Sequence, residues 1–590
     1  MKFKRFLAVT LILCILFSLS SCFGMSSSRP PTIDYIYNTQ DTHKAIGEYI
    51  QAALGVAGLK VNLSNQEWNT FLNTRKNGDY TMARNGWVAD YSDPISFLDM
   101  WTTSSGNNDV GFGRGAHREV SIYDLDLTDF GFDINVENGT WAETYDRLIE
   151  IIKNESDEEL RYKLMHKAED MLMSTGCIVP IYYNTDVYMA DKNLSGFLVT
   201  AMGYKIFTNS KFGEENSISV CLASEPDTLD PALNSSLDGS TMLCHLFSGL
   251  AKWVAGEDGT IQIVADCAKE LTEGVLNSDG SVTYTYEIRE GAMWSDGKPL
   301  TAYDFEYAWR RAASKELAAD YGYMFEAIKG YGEELWVSAE DERTLSVTLT
   351  GRIPYWNELL AFPTFFPVRE DTVRNEGWAT SSKTYIGNGP YRMEVWEHDS
   401  RILLTKNENY FDKDNVTMEN INFFLSDDAN NALTNFQSGD WQLIDNLPSN
   451  EIKRLERDYP EEYYVSGLIG TYYLCWNINE SILPKDSALS RNEAELAMQE
   501  IRRAISLLID RNYICEYIGQ AGQVPASSFV AMGFKNPDGT EFYQTAGYSS
   551  DYYGYYDISR EAFGKNTEEA LDILKKYFTL DIDYPKSIPS

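Results

Sequence analysis

Residues 32–87 read "TIDYIYNTQDTHKAIGEYIQAALGVAGLKVNLSNQEWNTFLNTRKNGDYTMARNGW". "TIDYIYN" (32–38) has the β-branched and aromatic content of a strand. "DTHKAIGEYIQAAL" (41–54) opens on Asp41, a candidate N-cap, and repeats apolar residues at helical spacing. "KVNLSNQEW" (60–68) predicts a strand, "NTFLNTRKNG" (69–78) a short helix stopped by glycine, and "YTMARNGW" (80–87) a third strand. Strand, helix, strand, helix, strand is the grammar of a doubly wound α/β layer. It runs directly into "GWVADYSDP" (86–94), with two aspartates and a proline that ends the preceding element.

Downstream, "TYDRLIEIIKN" and "DEELRYKLMHKAEDMLMS" (157–174) predict amphipathic helices with charge pairs four residues apart. "CIVPIYYNTDVYMA" (177–190) predicts a pair of strands. "NSKFGEENS" (209–217) is polar and glycine-containing, a candidate joint. Beyond it "SVTYTYEIRE" and "RTLSVTLTG" alternate as β-strands, with the turn and helix "WSDGKPLTAYDFEYAWRRA" (294–312) between them. "EEALDILKKYF" (568–578) predicts a helix with no strand after it, whereas 32–38 is a strand with no helix before it. The two loose ends complement one another.

The chain has 590 residues, enough for two to four domains or lobes. It is 43% hydrophobic, and its 38 tyrosines suit a surface that grips varied ligands, although most should simply pad strands and loops. A formal charge of −38 argues against nucleic-acid binding, which needs a basic surface. Lys2, Lys4 and Arg5 followed by the apolar run Phe6 to Leu19 predict a signal peptide, and "LSSC" (19–22) resembles a lipobox that would make Cys22 the lipidated N-terminus. "GMSSSRPP" then reads as a tether, and no later run of 18 apolar residues predicts a membrane span. The six cysteines outside the leader, Cys177, Cys221, Cys244, Cys267, Cys475 and Cys515, lack CxxC spacing, so a zinc site is not expected. Their state, buried thiol or disulfide, stays open.

Nine blocks carry a resemblance: "EPDTLDP" (225–231), "WSDGKPLTAYDFEYAWRR" (294–311), "NGPYRM" (388–393), "KNENYFD" (406–412), "IRRAISLLIDR" (501–511), "YIYNTQDTHK" (35–44), "NQEWNTFLNTR" (65–75), "GWVADYSDP" (86–94) and "IVPIYYNTDVY" (178–188). Together they resemble the extracellular solute-binding proteins of family 5, the oligopeptide-binding proteins that serve ABC importers. The order differs. In that family the "YNT", "WVADY" and "PIYY" blocks come last, and here they come first. This order is either a circular permutation, cut before "PPTIDYIYNT" and rejoined at 209–217, or a fusion of fragments from two gene copies. Both predict the same fold.

The resemblance implies a two-lobed, type II periplasmic-binding-protein (Venus-flytrap) α/β fold with a small extra α+β lobe. The expected organisation is a leader (1–22) and a tether (23–31), then a lobe from 30–186 plus 470–590 carrying the peptide-amine site. A second lobe comes from 187–247 plus 369–469, with an accessory lobe at 248–368. Between the lobes an extended peptide would be added as a strand, its backbone satisfied by Asn85, Gly86, Trp87 and Val88 on one side and by a strand from Ser235 to Leu237 on the other. The resemblance gives Asp90 the peptide's α-ammonium; alone, Asp90 reads equally as a turn or cap aspartate, the role given to Asp93. Trp68 and Trp87 match pocket-lining tryptophans, with core packing as their alternative. Tyr321, next but one to Tyr323, matches a tyrosine that contacts the ligand backbone. Arg75, Arg84 and His43 match basic positions that receive the ligand's C-terminal carboxylate, with surface or strand-paired roles as the alternatives. Some relatives carry a disulfide at the positions of Val88 and Gly470, which this sequence lacks. Residues 113–139 are an acidic stretch expected to be a surface excursion.

Catalysis is not expected: there is no HExxH, G-x-S-x-G or Walker motif. The reading is a monomeric, extracytoplasmic, lipid-anchored binding protein that hands short peptides to a permease and needs no cofactor. The alternatives are a receptor sensing pheromone or cell-wall peptides and a family member that binds nickel or haem.

Overall fold

The computed structural model describes residues 29–121, 125–126, 135–136, 139–222, 225–226, 228–256, 261–484, 487–547 and 552–581. The leader with Cys22, and most of 122–138, lie outside the described residues.

The opening stretch folds as β1 (Ile33–Asn38), α1 (Asp41–Val56), β2 (Val61–Gln66), α2 (Trp68–Lys76) and β3 (Met82–Val88), with β1 parallel to both β2 and β3. His43, Ile46, Gly47, Ile50 and Leu54 form the buried stripe of α1. Gly47 belongs there because a Cβ would stand 3.2 Å from the Tyr35 ring. Asp41 is the first residue of α1 and not its cap; Gln40 stands at the cap and makes no capping hydrogen bond through its side chain. α2 does have a cap: the Glu67 carboxylate accepts from the Asn69 and Thr70 amides. Helices α3 (Trp141–Asn154) and α4 (Glu158–Ser174) follow, α3 with a Thr140/Glu143 capping box.

The expected strand pair at 177–190 is one 13-residue strand, β4 (Ile178–Ala190). It stays continuous because it is paired along most of its length by a strand of 14 residues near the far end of the chain. Between them come β5 (Ser217–Cys221), α5 (Leu237–Leu246), the β6–β7 hairpin (Ala251–Ala255, Ile261–Ala265), β8 (Val275–Leu276), β9 (Val282–Glu287), α6 (Ala302–Ala312), β10 (Val337–Ala339) and β11 (Thr344–Leu349). β8, β9, β11 and β10 make a separate antiparallel sheet in that order. Its core is aromatic: Trp309 and Trp356 are fully buried, and their indole N–H groups donate to the Phe365 carbonyl and the Tyr286 hydroxyl at 2.8 Å. Then come β12 (Tyr391–Glu397), β13 (Arg401–Lys406), β14 (Asn420–Phe424), α7 (Ala429–Ser438), β15 (Leu443–Ile444), β16 (Tyr463–Trp476), α8 (Arg491–Leu507), β17 (Val524–Pro525) and α9 (Arg560–Lys575).

Among the described residues the main sheet has the order β12-β13-β14-β5-β15-β4-β16-β3-β1-β2, with β17 also on β4. Two parallel sets, β14/β5/β15 and β3/β1/β2, are thus joined by the long antiparallel strands β4 and β16. This is a two-lobed α/β architecture with an additional small sheet. The register of β4 on β16 slips between Gly467 and Thr471. In that gap the Ile469 carbonyl accepts from Ala89, and the Ile469 amide donates to Ala201.

The described ends meet. Arg29 Nη2 lies 3.6 Å from Asp581 Oδ2, and the backbone of Asp581 passes 3.0 Å from where a Cβ of Gly58 would sit. α9 packs on α8 through Arg503–Glu569 (2.6 Å) and Lys576–Glu500 (3.0 Å). The segment at 209–217 is tightly held. Lys211–Phe212 pairs antiparallel with Leu194–Ser195, Gly213 takes φ +56° at the turn, and Thr417 and Glu419 donate backbone N–H groups to the Thr208 and Asn216 carbonyls. All six cysteines among the described residues are free thiols. Residues 113–121 run along the surface, with Arg114, Gly115, Ala116, Arg118 and Glu119 exposed, and are pinned by His117, which is 2% exposed, lies against Phe112 and Trp141, and accepts from the Gly113 amide.

Candidate functional site

β3 is paired on one side over its whole length by β16, from Met82 opposite Trp476 to Val88 opposite Gly470. On its other side β1 reaches only Met82 and Ala83. From Arg84 to Val88 that edge has no neighbouring strand among the described residues, and it lines a cleft of about 560 Å³. An unpaired edge is a template for an added strand. Val88 and Gly470, the positions of the absent disulfide, are cross-strand partners. Gly86 has ordinary backbone geometry, and a Cβ there would meet nothing closer than 3.8 Å, so a larger side chain would fill the cleft and not clash. Its N–H is taken by the Asn85 side-chain oxygen at 2.8 Å, a contact a ligand carbonyl would replace.

Asp90 follows β3 and is 5% exposed. Its backbone N–H donates to Ser96 Oγ (2.9 Å), which fixes the turn, and Oδ1 accepts from the Tyr321 hydroxyl at 3.2 Å. Oδ2 is buried with no hydrogen-bond partner. Burial holds this carboxyl well above the usual range, the nearby Asp99 charge adds to the shift, and the Tyr321 hydroxyl opposes it. A buried carboxyl that lines a cleft and keeps one oxygen without a partner is a candidate site for a cation. Asp93 does the structural work of this turn: Oδ1 accepts from the Ile95 amide, and both oxygens grip Arg161 at 2.6 and 3.0 Å.

Trp68 and Trp87 are half-buried and line the cleft, with the Trp87 indole N–H fixed on the Ser96 carbonyl at 2.8 Å. Tyr321 lies 6.4 Å from the Trp87 ring and also lines the cleft, whereas Tyr323 lies behind it near Lys153. The three basic positions separate. Arg75 is 9% exposed and locked to Asp109 at 2.7 Å. His43 is 6% exposed, and burial, then the neighbouring Arg84, keeps it well below the usual histidine range, so it is neutral and does not supply the charge expected of it. Arg84 stacks on Tyr472 at 5.3 Å and has no carboxylate in ion-pair range among the described residues.

The expected strand at Ser235 to Leu237 is not a strand. Leu237 is the first residue of α5, and Ser236 is its N-cap, accepting from the Gly239 amide at 3.2 Å. Ser235 and Ser236 line the same cleft as β3, and Ser236 has extended backbone geometry; what decides the boundary is the Asn234/Ser236 cap pair just ahead of a helical run. The sequence reading missed Asp186, Tyr204, Lys205, Asp238 and Asp445, which also line the cleft. Only Asp186 lay in a family block; the others come from three unrelated segments that the fold brings together.

Several contacts join this part of the chain to residues 320–358, beyond α6. Lys76 pairs with Asp320, Ser104 and Lys153 with Glu326, and the Ser92 amide with Glu358. Two other cavities of about 550 Å³ exist, one by Phe197 and Trp253 and one by Asp99 and Lys153. Neither combines an open strand edge with an orphaned carboxylate.

Residues 19–109 and 263–577 match the profile of the bacterial extracellular solute-binding proteins, family 5 Middle. The dipeptide-binding protein DppE of Bacillus subtilis (strain 168) is 29% identical over 57% of this chain and 60% of its own length. The oligopeptide-binding protein OppA of the same organism is 30% identical over 54% of this chain and 57% of its own. The chain therefore spans somewhat more than half the length of these relatives. Among solved structures, OppA of Burkholderia pseudomallei is 23% identical, with a TM-score of 0.49 over 62% of this chain and 67% of that one. The family is one of binding proteins, not enzymes, and with more than half of its residues in that match the chain belongs to the bacterial extracellular solute-binding proteins, family 5.

Proposed function

We propose that this protein is the substrate-binding component of a peptide ABC importer. It takes short peptides with a free amino terminus, in extended form, into the cleft beside β3. The observation that carries the reading is the buried, unpartnered Oδ2 of Asp90 next to an unpaired strand edge. A ligand strand would satisfy the backbone of Arg84–Val88 whatever its side chains, and its α-ammonium would neutralise Asp90. The Ser235–Ser236 backbone would pair with the ligand's other edge. Arg84, the cation not committed to a carboxylate, would receive the C-terminal carboxylate, so the peptide runs antiparallel to β3. The six residue steps from Arg84 to Asp90 are about 20 Å of strand, room for at most about six ligand residues.

The two lobes, 30–186 with 470–590 and 187–247 with 369–469, would close through β4 and β16, with 248–368 as the accessory lobe. Cys22 would anchor the monomer by lipid to the outer face of the membrane, next to its permease. The family order of the blocks is restored by joining 581 to 29 and opening 209–217, and the meeting of Arg29 with Asp581 supports a circular permutation.

The test is calorimetry with trialanine, N-acetyl-trialanine and trialanine amide. The free peptide should bind and each blocked form should lose affinity. Equal binding of free and acetylated peptide overturns the reading.

A further inference from the structure

We propose that the cleft holds a second cation site, formed by Asp186, Asp238 and Asp445 around Lys205, which takes the basic side chain of the bound peptide. This rests on the peptide reading above and adds a ligand class to it: peptides carrying lysine, arginine or a similar cationic residue.

The argument is one of charge balance. Lys205 is almost completely buried; its Nζ lies 3.1 Å from both oxygens of Asp186 and 3.2 Å from Asp445 Oδ2. One ammonium thus already serves two carboxylates. Asp238, on the first turn of α5, is a third: its electrostatic neighbours are Asp445 and Lys205, and it makes no hydrogen bond among the described residues. Three carboxyls thus share one ammonium, an imbalance that a ligand cation would relieve by letting the others ionise. Burial, with the neighbouring carboxylates, holds Asp238 well above the usual range and pushes Asp445 up to about 6. The three carboxylates come from β4, α5 and the residue after β15, so they converge on the cleft from both lobes.

The second observation is Asp90. Asp90 is 5% exposed, lines the same cavity and keeps Oδ2 without a hydrogen-bond partner, so a second carboxyl in that cavity lacks a cation. Asp186 lies opposite Ser466, three residues before the Ile469 that bonds Ala89, so the cluster sits toward the Asp90 end of the cleft. A ligand anchored by its α-ammonium would present one of its first side chains there. The cation is organic and not metallic: the Lys205 ammonium already occupies the centre, and the three carboxylates are not placed to ligate one metal ion among the described residues.

The experiment measures Kd by calorimetry for trialanine and for its single lysine and single glutamate substitutions at positions 1, 2 and 3. At one position lysine should bind at least tenfold tighter than alanine and glutamate weaker. In the Asp238→Asn/Asp445→Asn double variant the ratio of the alanine to the lysine Kd at that position should fall to about one. If lysine, alanine and glutamate are equivalent at every position of the wild-type series, the second cation site is wrong and the peptide reading stands. If no peptide binds, the peptide reading fails and the probe becomes 1,5-diaminopentane: a rise in wild-type Tm absent from the double variant upholds the cation site, and no rise overturns it.

Discussion

Replacing Asp90 by asparagine keeps the shape of the turn and the hydrogen bond from Tyr321 while removing one negative charge. An ammonium about 4 Å from a carboxylate gains about 4 kcal/mol at an effective dielectric near 20. Asp90 is 5% exposed and its Oδ2 has no other partner, so little competes with the ligand for that gain. Part of it is returned in desolvating the ammonium, but the variant also leaves that ammonium buried without a counter-charge, so the cost expected is about 2–5 kcal/mol, the range for stripping one partner from a buried charge pair. The expected loss for a free-amine peptide is therefore about 30- to 4,000-fold in Kd, and N-acetyl peptides should be indifferent to the change. The empty protein should respond oppositely. The carboxyl is held above its unfolded value, so between the two pKa values the folded state binds more protons than the unfolded one, and stability falls as pH rises through that window. Above it the buried charge destabilises the empty protein in full. Asp90→Asn should thus lack this pH dependence and melt at or above the parent at pH 7. Ligand binding, by drawing the pKa back down, releases a proton, so wild-type affinity should rise with pH toward the empty-state pKa and then level. Calorimetry in buffers of different ionisation enthalpy, with melting curves, reads all three. Unchanged peptide affinity in Asp90→Asn refutes the argument.

Gly86→Val should weaken peptide binding at least tenfold with Tm nearly unchanged, because the new side chain enters the cleft and not the core; undiminished binding would show that no strand is added there. Arg84→Ala should cost about 1.5–3 kcal/mol toward free-acid peptides, the range for a charge-assisted hydrogen bond, and nothing toward their amides. Arg75→Ala should act on stability instead, by about 3–5 kcal/mol in denaturant unfolding, because it strands Asp109 in a buried ion pair. A chain opened within 209–217, with Asp581 linked to Arg29 by a short flexible linker, should fold and bind trialanine with the parent's Kd; aggregation of that chain would tell against the permutation.

The βαβαβ layer was legible because each element carries its own period and because "GWVADYSDP" follows it directly. The role of β4 was not: Ile178–Ala190 reads as two short strands around "NT", and only pairing with β16 keeps it one. Ser235 to Leu237 was misread because an extended segment and a helix cap share residue types, and Asn234 and Ser236 settle the matter through capping. Resemblance placed Arg75, Arg84 and His43 in one class, yet burial and Asp109 separate them, and Asp109 lies 34 residues from Arg75 in a turn-rich stretch with no pattern of its own. The Asp186/Asp238/Asp445 cluster was invisible for the same reason: proximity between distant segments is a property of the closed sheet.

The meeting of Arg29 with Asp581 has a consequence for an anchored molecule. Six residues separate Cys22 from Arg29, a leash of seven residue steps and at most about 25 Å when fully drawn out. If Cys22 carries acyl chains, the half that carries Asp90 would stay close to the bilayer, and the opposite half would be the one free to swing. A reporter fused after Ser590 would then crowd the lipid surface and obstruct docking, whereas one inserted at the Gly213 turn would leave the leash untouched.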